Sequence, residues 1–376
     1  MQHQKPERIY KTHPLANTLV LNIATSALAI SIFSAGGYNT TLSTLETNLH
    51  PATNLIKDIP EPQNPARKSF AETGILLLGV GFINWDVDRG EVYKVTGVWL
   101  FVPRNMPEDL VPTPPTPNAT PNPQIHPPTP KSGSKTGSIT EASTALTDLT
   151  PDVLVIQGSD AGSHTQTTSA SLLTLLPKLT TLLSNHKTKT KNEHERNPLT
   201  LLVAGSLTTG RTLAAALILG ASGGVMGTRF LASHEAHTSS GYQVTILCAS
   251  DGGVSTVRST VYDRVWGIYG WLGRYRGRGI VNDTYLDTER GDGGGGESEV
   301  VFGGDGEGGW GWVVPGGRMT MYAGTGVELV REVKGEGGRF WRRFGRMLRV
   351  FLGGGVDVDC RLSIVDVGFD GVWRDT

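Results

Sequence analysis

Three short apolar runs, each ending in glycine and each leading into a loop, constrain this chain more than any other feature. DVLVIQG (152–158), LTLLVAG (199–205) and GGVMG (223–227) are of strand length and almost wholly apolar. Apolar residues at successive positions fit a strand covered on both faces, which is what a parallel sheet requires. ILLLGVGF (75–82) and VWLFV (98–102) have the same form. Residues 170–183 and 209–220 place leucine and alanine at helical spacing between or after the runs. Strand, loop, helix, strand is the sequence form of βαβ units, and its repetition specifies a barrel or a doubly wound sheet.

Other stretches cannot join such a core. Hydrophobic residues are 38% of the chain and glycines number 49, a deficit that points to long segments outside any core. Residues 103–136 contain PTPPTPNATPNPQIHPPTP, which favours extended polyproline conformations. Residues 291–317 are a Gly-rich run, expected to be a disordered surface loop. No strand leads into it and no capping pattern leads out, which argues against a phosphate-binding loop there. NHKTKTKNEHERN (185–197) reads as a solvated loop. The expected organisation is therefore an N-terminal part of the fold (1–102), a Pro-rich insert (103–136) and a C-terminal part (137–290). The Gly-rich loop (291–317) and a helical C-terminal appendage with its tail (318–376) follow. Within that appendage RFWRRFGRMLRVF (339–351) is a basic amphipathic helix expected to dock on the fold, and the alternating Val and Asp after 353 suit a short strand pair.

A net charge of −1 gives no electrostatic case for nucleic acid. Cys248 and Cys360 make neither a disulfide framework nor a metal cluster. LVLNIATSALAISIF (19–33) is shorter than a span of about 20 residues, and Asn22, Thr25, Ser26 and Ser31 interrupt it. It reads as a buried strand followed by a helix. The expectation is a cytoplasmic protein with no stable membrane association; nothing in the sequence specifies its oligomeric state.

Three strand ends carry candidate chemistry. After the first run comes Gln157-Gly158-Ser159-Asp160-Ala161-Gly162-Ser163-His164. Glycines there let backbone approach a planar ligand, Gln157 offers donor and acceptor, and His164 is a candidate general base. A surface histidine held by hydrogen bonds is the competing reading. After the second, Gly205-Ser206-Leu207-Thr208-Thr209-Gly210-Arg211 runs into a helix, a arrangement suited to a phosphate. After the third comes Val225-Met226-Gly227-Thr228-Arg229. Met226 suits either a core position or a cofactor-facing one, and Arg211 and Arg229 read as anchors. Two successive loops of this kind match the phosphate site after the last strands of a (β/α)8 barrel.

DVLVIQGSDAGSH together with VAGSLTTGRTLAAALILGASGGVMGTRFLASHEA resembles the nitronate monooxygenase family, formerly called 2-nitropropane dioxygenases. ILCASDGGVSTVRSTVYDRVWG (246–267) and MYAGTGVELVREV (321–333) resemble its fungal-type members, and GVGFINWD (79–86) and VWLFVPR (98–104) its earlier strands. The resemblance implies a TIM (β/α)8 barrel that binds FMN. It also implies oxidation of alkyl nitronates by O2 to carbonyl compounds and nitrite. Carried over residue by residue, the catalytic position falls on His164. The flavin contacts fall on Gln157, Gly162, Gly205, Ser206, Val225, Met226, Gly227 and Thr228.

The chain departs from the family pattern in several places. Serine replaces the second glycine of two motifs, at Ser163 and Ser206, and Asn22-Ile23-Ala24-Thr25 stands where the family has an APM motif. The family's asparagine near its GVN motif falls roughly on Gly81. No second strand is evident after Ser34-Ala35-Gly36-Gly37, and the Pro-rich insert takes the place of the strand expected before GSITEAS (137–143). The barrel is thus expected to be incomplete or irregular. Two readings stand beside the monooxygenase: a non-catalytic barrel remnant, and a related FMN-dependent reductase of quinones or enoyl thioesters using NAD(P)H.

Overall fold

Seven parallel strands pair in chain order: β1 (Ile32–Ala35), β2 (Leu76–Ile83), β3 (Val95–Phe101), β4 (Lys131–Thr136), β5 (Val153–Gln157), then β7 (Thr200–Ala204) and β8 (Gly223–Val225). The computed structural model describes residues 32–35, 76–83, 95–101, 131–149, 151, 153–189, 199–232, 240–265, 271–291 and 317–333. A second, antiparallel sheet runs β6 (Ser163–Gln166), β10 (Tyr275–Ile280), β9 (Thr256–Ser259). In the parallel sheet each strand is flanked by its neighbours in sequence. A doubly wound sheet reverses strand order at a switch point; this one does not, which decides between the two architectures in favour of the barrel class. Among the described residues β8 and β1 form no strand pairing, so what is described is an α/β sheet of the barrel class without a closing strand pair.

Side-chain alternation explains why the strands read as continuously apolar. Leu154, Ile156, Leu201 and Val203 face α2 (Leu172–Lys189) and α3 (Gly210–Ile218), packing with Leu175, Leu176, Leu179, Leu213 and Phe230. The alternate residues Val153, Val155, Leu202, Ala204 and Val225 form a separate cluster on the opposite face. Successive strand residues point to opposite faces, so a strand buried on both sides must be apolar at every position. A third cluster joins Ile280, Met321, Ala323 and Val327 to Tyr242 and Ile246 of α5 (Ser240–Cys248).

Several expectations change. The strand ahead of GSITEAS is present: β4 pairs β3 on one side and β5 on the other, through Gly133↔Val153 and Thr136↔Ile156 among others. The Pro-rich insert therefore gives way to the sheet at Lys131, six residues earlier than its composition suggests, because KSGSKT carries polar residues where the other strands are apolar. The polar run at 185–197 begins inside α2, which extends to Lys189. Residues 317–333 are not helical apart from a 3-10 turn at Thr325–Leu329; they run across the second sheet, with a bridge at Gly279↔Tyr322. The basic segment 339–351, the strand pair after 353, the Gly-rich run through 316 and residues 19–31 lie outside the described residues. No described helix is long and apolar enough to cross a membrane.

Candidate functional site

The three loops singled out from sequence meet at the carboxyl ends of β5, β7 and β8. A fourth segment, residues 322–326, lies against them. The Ser206 hydroxyl donates to the Asp160 carbonyl at 3.0 Å, shares a hydrogen bond with Thr325 Oγ1 at 2.8 Å and accepts from the Gly326 N–H at 2.9 Å. The Thr325 N–H donates to the Asp160 carbonyl at 3.0 Å, and the Gly324 N–H to Thr228 Oγ1 at 3.1 Å. A Cβ on Gly162 would lie 2.6 Å from backbone atoms of Ala323 and Gly324, so only glycine lets the first loop and this strap pack so closely.

Backbone conformation accounts for the family's glycines. Gly205 has φ +125°, and Ser206 and Ser163 have φ of 52° and 55°. Both serines thus sit in the left-handed region where L-residues are strained. The second loop continues into α3 through a capping box: Thr209 Oγ1 accepts from the Thr212 N–H, and Thr212 Oγ1 accepts from the N–H groups of Thr208 and Thr209. Four other donors at these strand ends are left over. Among the described residues, the backbone N–H groups of Ser206, Leu207, Gly227 and Thr228 meet no acceptor. Backbone donors are rarely left unsatisfied, and donors gathered from two adjacent strand ends suit the oxygens of a phosphate.

His164 lies on β6, immediately after Ser163, with 6% of its surface exposed. The loop that delivers it is gripped by two arginines. Arg258 donates to the carbonyls of Ser159 and Ala161, both at 3.0 Å, and of Ser163 at 3.4 Å, while Arg278 donates to Ser159 at 3.4 Å. The imidazole Nε2 is 2.7 Å from Oδ1 of Asp263, on α7 (Val261–Val265), and the Tyr322 hydroxyl donates to the same oxygen at 2.8 Å. The Trp271 ring stacks on the imidazole, with centroids 3.7 Å apart and planes within 7°. Burial holds His164 below its ordinary value of 6.5, and the charges of Lys135 and Arg258 act in the same direction, against Asp263. The ring is therefore neutral near pH 7. A carboxylate oxygen accepts, so Nε2 carries the proton and Nδ1 the lone pair.

His164, Gly162, Gly205, Ser206, Gly227 and Thr228 thus come together with the strap. The Ser206 and Thr228 hydroxyls are used within the protein, while their backbone N–H groups have no acceptor among the described residues. Gln157 is buried at the end of β5, and its side chain makes no hydrogen bond among the described residues. The Met226 side chain belongs to the core cluster beneath α3, and Val225 to the cluster on the opposite face of the sheet. Arg229 is an anchor, donating to the Glu332 carbonyl at 3.1 Å, and Arg211 is exposed. Sequence reading missed Asp263, Trp271, Tyr322, Arg258 and Arg278. Asp263 follows His164 by 99 positions, and no local pattern relates residues paired across such a distance.

The sheet and the site at its carboxyl ends define an enzyme of the α/β-barrel class, in which functional loops follow the strands. The sequence profile described as Nitronate monooxygenase matches residues 133–259. A nitronate monooxygenase of Metarhizium robertsii is 34% identical over 345 residues, covering 85% of this chain and 87% of its own. Another from Neurospora crassa is 34% identical over 155 residues, 41% of this chain and 39% of that protein. Among solved structures, FabK of Thermotoga maritima aligns with a TM-score of 0.56 at 18% identity, over 90% of this chain and 91% of its own. A nitroalkane oxidase from Streptomyces ansochromogenes aligns with the same score at 14% identity, over 90% of this chain and 95% of its own. The structural likenesses speak for the fold, and the sequence relatives for descent: the chain belongs to the nitronate monooxygenase family. It is an oxidoreductase.

Proposed function

We propose that this protein is an FMN-dependent monooxygenase that oxidises alkyl nitronates with O2 to carbonyl compounds and nitrite. The observation that carries the reading is the set of backbone donors at Ser206, Leu207, Gly227 and Thr228 that have no acceptor among the described residues. They lie at the ends of β7 and β8, the two strands after β5 in the sheet, and the loop after β5 delivers a buried histidine. These donors fit the phosphate of FMN, and Gly205, at φ +125°, and Gly162, closed over by Ala323 and Gly324, shape the loops that present them. Gln157 supplies an uncommitted amide for the polar edge of the flavin ring, and the backbone at Val225 and Met226 completes the cradle. Flavin, when bound, supplies the electron acceptance that no side chain here can provide.

The protein's own part is to bind, to exclude water and to manage one proton. Trp271, stacked on the imidazole, and Tyr322, tilted against it, pack on His164, which is buried. A nitronate is already an anion and needs only positioning. A neutral nitroalkane must first lose a proton from carbon, and the Nδ1 lone pair of His164 is the available base.

The experiment is the visible absorption spectrum of the purified protein with and without added FMN, followed by nitrite release from a nitronate under air. Flavin bands at one equivalent and nitrite formation are the expected results. A protein that takes up no FMN rules the reading out in favour of a non-catalytic remnant. Bound FMN with NAD(P)H-driven quinone reduction and no nitrite replaces it with a reductase.

A further inference from the structure

We propose that Asp263 is the positioning residue for His164: it holds the imidazole in the Nε2–H tautomer and so leaves the Nδ1 lone pair as the base. The arrangement is a buried relay in which every member has one role. Asp263 is 3% exposed and His164 is 6% exposed, so their 2.7 Å contact is screened little by water. Trp271 fixes the plane of the ring by stacking, which removes rotation about the side-chain axis as an alternative. With the plane fixed, the hydrogen bond at Nε2 decides which nitrogen carries the proton. The Tyr322 hydroxyl donates to the same carboxylate oxygen and competes with the imidazole for it. Asp263 Oδ2 is buried and, among the described residues, has no hydrogen-bond partner, so His164 and Tyr322 are the groups this carboxylate serves.

The charges around the ring are known from each element packed on it. Lys135 at the end of β4 and Arg258 on β9 disfavour the imidazolium; Asp263 on α7 favours it. Tyr322, on the strap, is uncharged and acts through Asp263. Asp263 is thus the anion in the set that opposes the loss of basicity caused by burial. Its removal has a signed consequence. In Asp263→Asn the imidazolium loses its counter-charge, so the midpoint of His164 moves to lower pH. In Tyr322→Phe the carboxylate is relieved of one donated hydrogen bond and interacts more strongly with the imidazolium, so the midpoint moves to higher pH.

The kinetic part of this inference rests on the nitronate monooxygenase reading, whereas the tautomer does not, and the experiment separates them. Imidazole 15N NMR titration of the full chain reads tautomer and midpoint directly, with the His164 signal identified by its loss in His164→Gln. Wild type is expected to show protonated Nε2 and unprotonated Nδ1 near neutral pH. Asp263→Asn is expected to populate the Nδ1–H form and to titrate at lower pH, with Tyr322→Phe shifted oppositely. In steady-state assays of Asp263→Asn, kcat/KM for a neutral nitroalkane is expected to fall by up to about 10²–10⁴-fold, the range for losing a general base. Turnover of the preformed nitronate is expected to fall far less. An unchanged His164 tautomer and midpoint in Asp263→Asn overturns the proposal whatever the kinetics do. If the NMR signature behaves as expected while no nitro compound is turned over by wild type, the positioning role stands and the proposed activity falls.

Discussion

Two serines at matching places in the two loops are expected to respond to the same substitution in opposite directions. Ser163 and Ser206 both have φ near 50°, a conformation that costs a residue with a Cβ on the order of 1 kcal/mol. The Ser163 side chain makes no hydrogen bond among the described residues, so Ser163→Gly removes strain at no loss of contacts. A gain in stability of about 1 kcal/mol or less is expected, because glycine also enlarges the freedom of the unfolded chain. Ser206 has three hydrogen-bond partners, the Asp160 carbonyl, Thr325 and the Gly326 N–H. At roughly 1 kcal/mol each these outweigh the strain, so Ser206→Gly is expected to destabilise by about 1–2 kcal/mol. Chemical denaturation of the two variants checks both signs. Stabilisation by Ser206→Gly would mean that the strap is not held by this hydroxyl. The same pair shows why the family pattern carries glycine at both places, and why serine is tolerated: the hydroxyl at 206 found partners, and the strain at 163 is modest.

At the level of elements, the capping box at the start of α3 is the feature most open to a direct test. Thr209→Ala removes the acceptor of the Thr212 N–H and is expected to cost about 1 kcal/mol. A loss below a few tenths, measured by thermal or denaturant unfolding, would show that solvent caps this helix equally well. TTGRT was legible in the sequence as a helix start, and so were β2, β3, β5, β7, β8, α2 and α3, because their signals are local: apolar runs of strand length, leucines at helical spacing, glycines at the ends. β4 was not legible. KSGSKT has no apolar residue, and its place in the sheet is set by pairing with β3 and β5 rather than by its own composition. β6 carries a four-residue SHTQ segment that a loop could equally contain, and it is a strand because β10 pairs with it. The site divides the same way. The loops that carry His164, Gly205 and Gly227 announce themselves through glycine spacing, whereas Asp263 and Tyr322 reach the imidazole from elements 99 and 158 positions along the chain (263 − 164 and 322 − 164). Only tertiary packing brings them there.

For the whole molecule, the question is whether the two sheets behave as one unit. The strap answers structurally: it is bonded to the loops after β5, β7 and β8 through Asp160, Ser206 and Thr228, and to the second sheet through the bridge between Tyr322 and Gly279. His164 adds a further tie, since it extends from the loop after β5 into β6 and bonds to α7. A ligand that settles on the strand-end donors therefore binds a surface to which both sheets contribute, and by linkage it must stabilise them together. FMN at a concentration 100 times its Kd is expected to add about 2.7 kcal/mol. Riboflavin lacks the phosphate that would meet the N–H groups of Ser206, Leu207, Gly227 and Thr228, so at equal concentration its effect is expected to be much smaller. Thermal unfolding followed in parallel by far-ultraviolet circular dichroism and by tryptophan fluorescence reads both halves of this argument. Far-ultraviolet dichroism weights the helices and the seven-stranded sheet, and the part of the tryptophan signal that is lost in Trp271→Phe reports from beside His164. Coincident transitions that rise with FMN and scarcely with riboflavin are expected. Equal shifts from the two flavins would take the phosphate away from these loops, and transitions that separate between the two probes would mean that the strap does not bind the sheets into one cooperative unit.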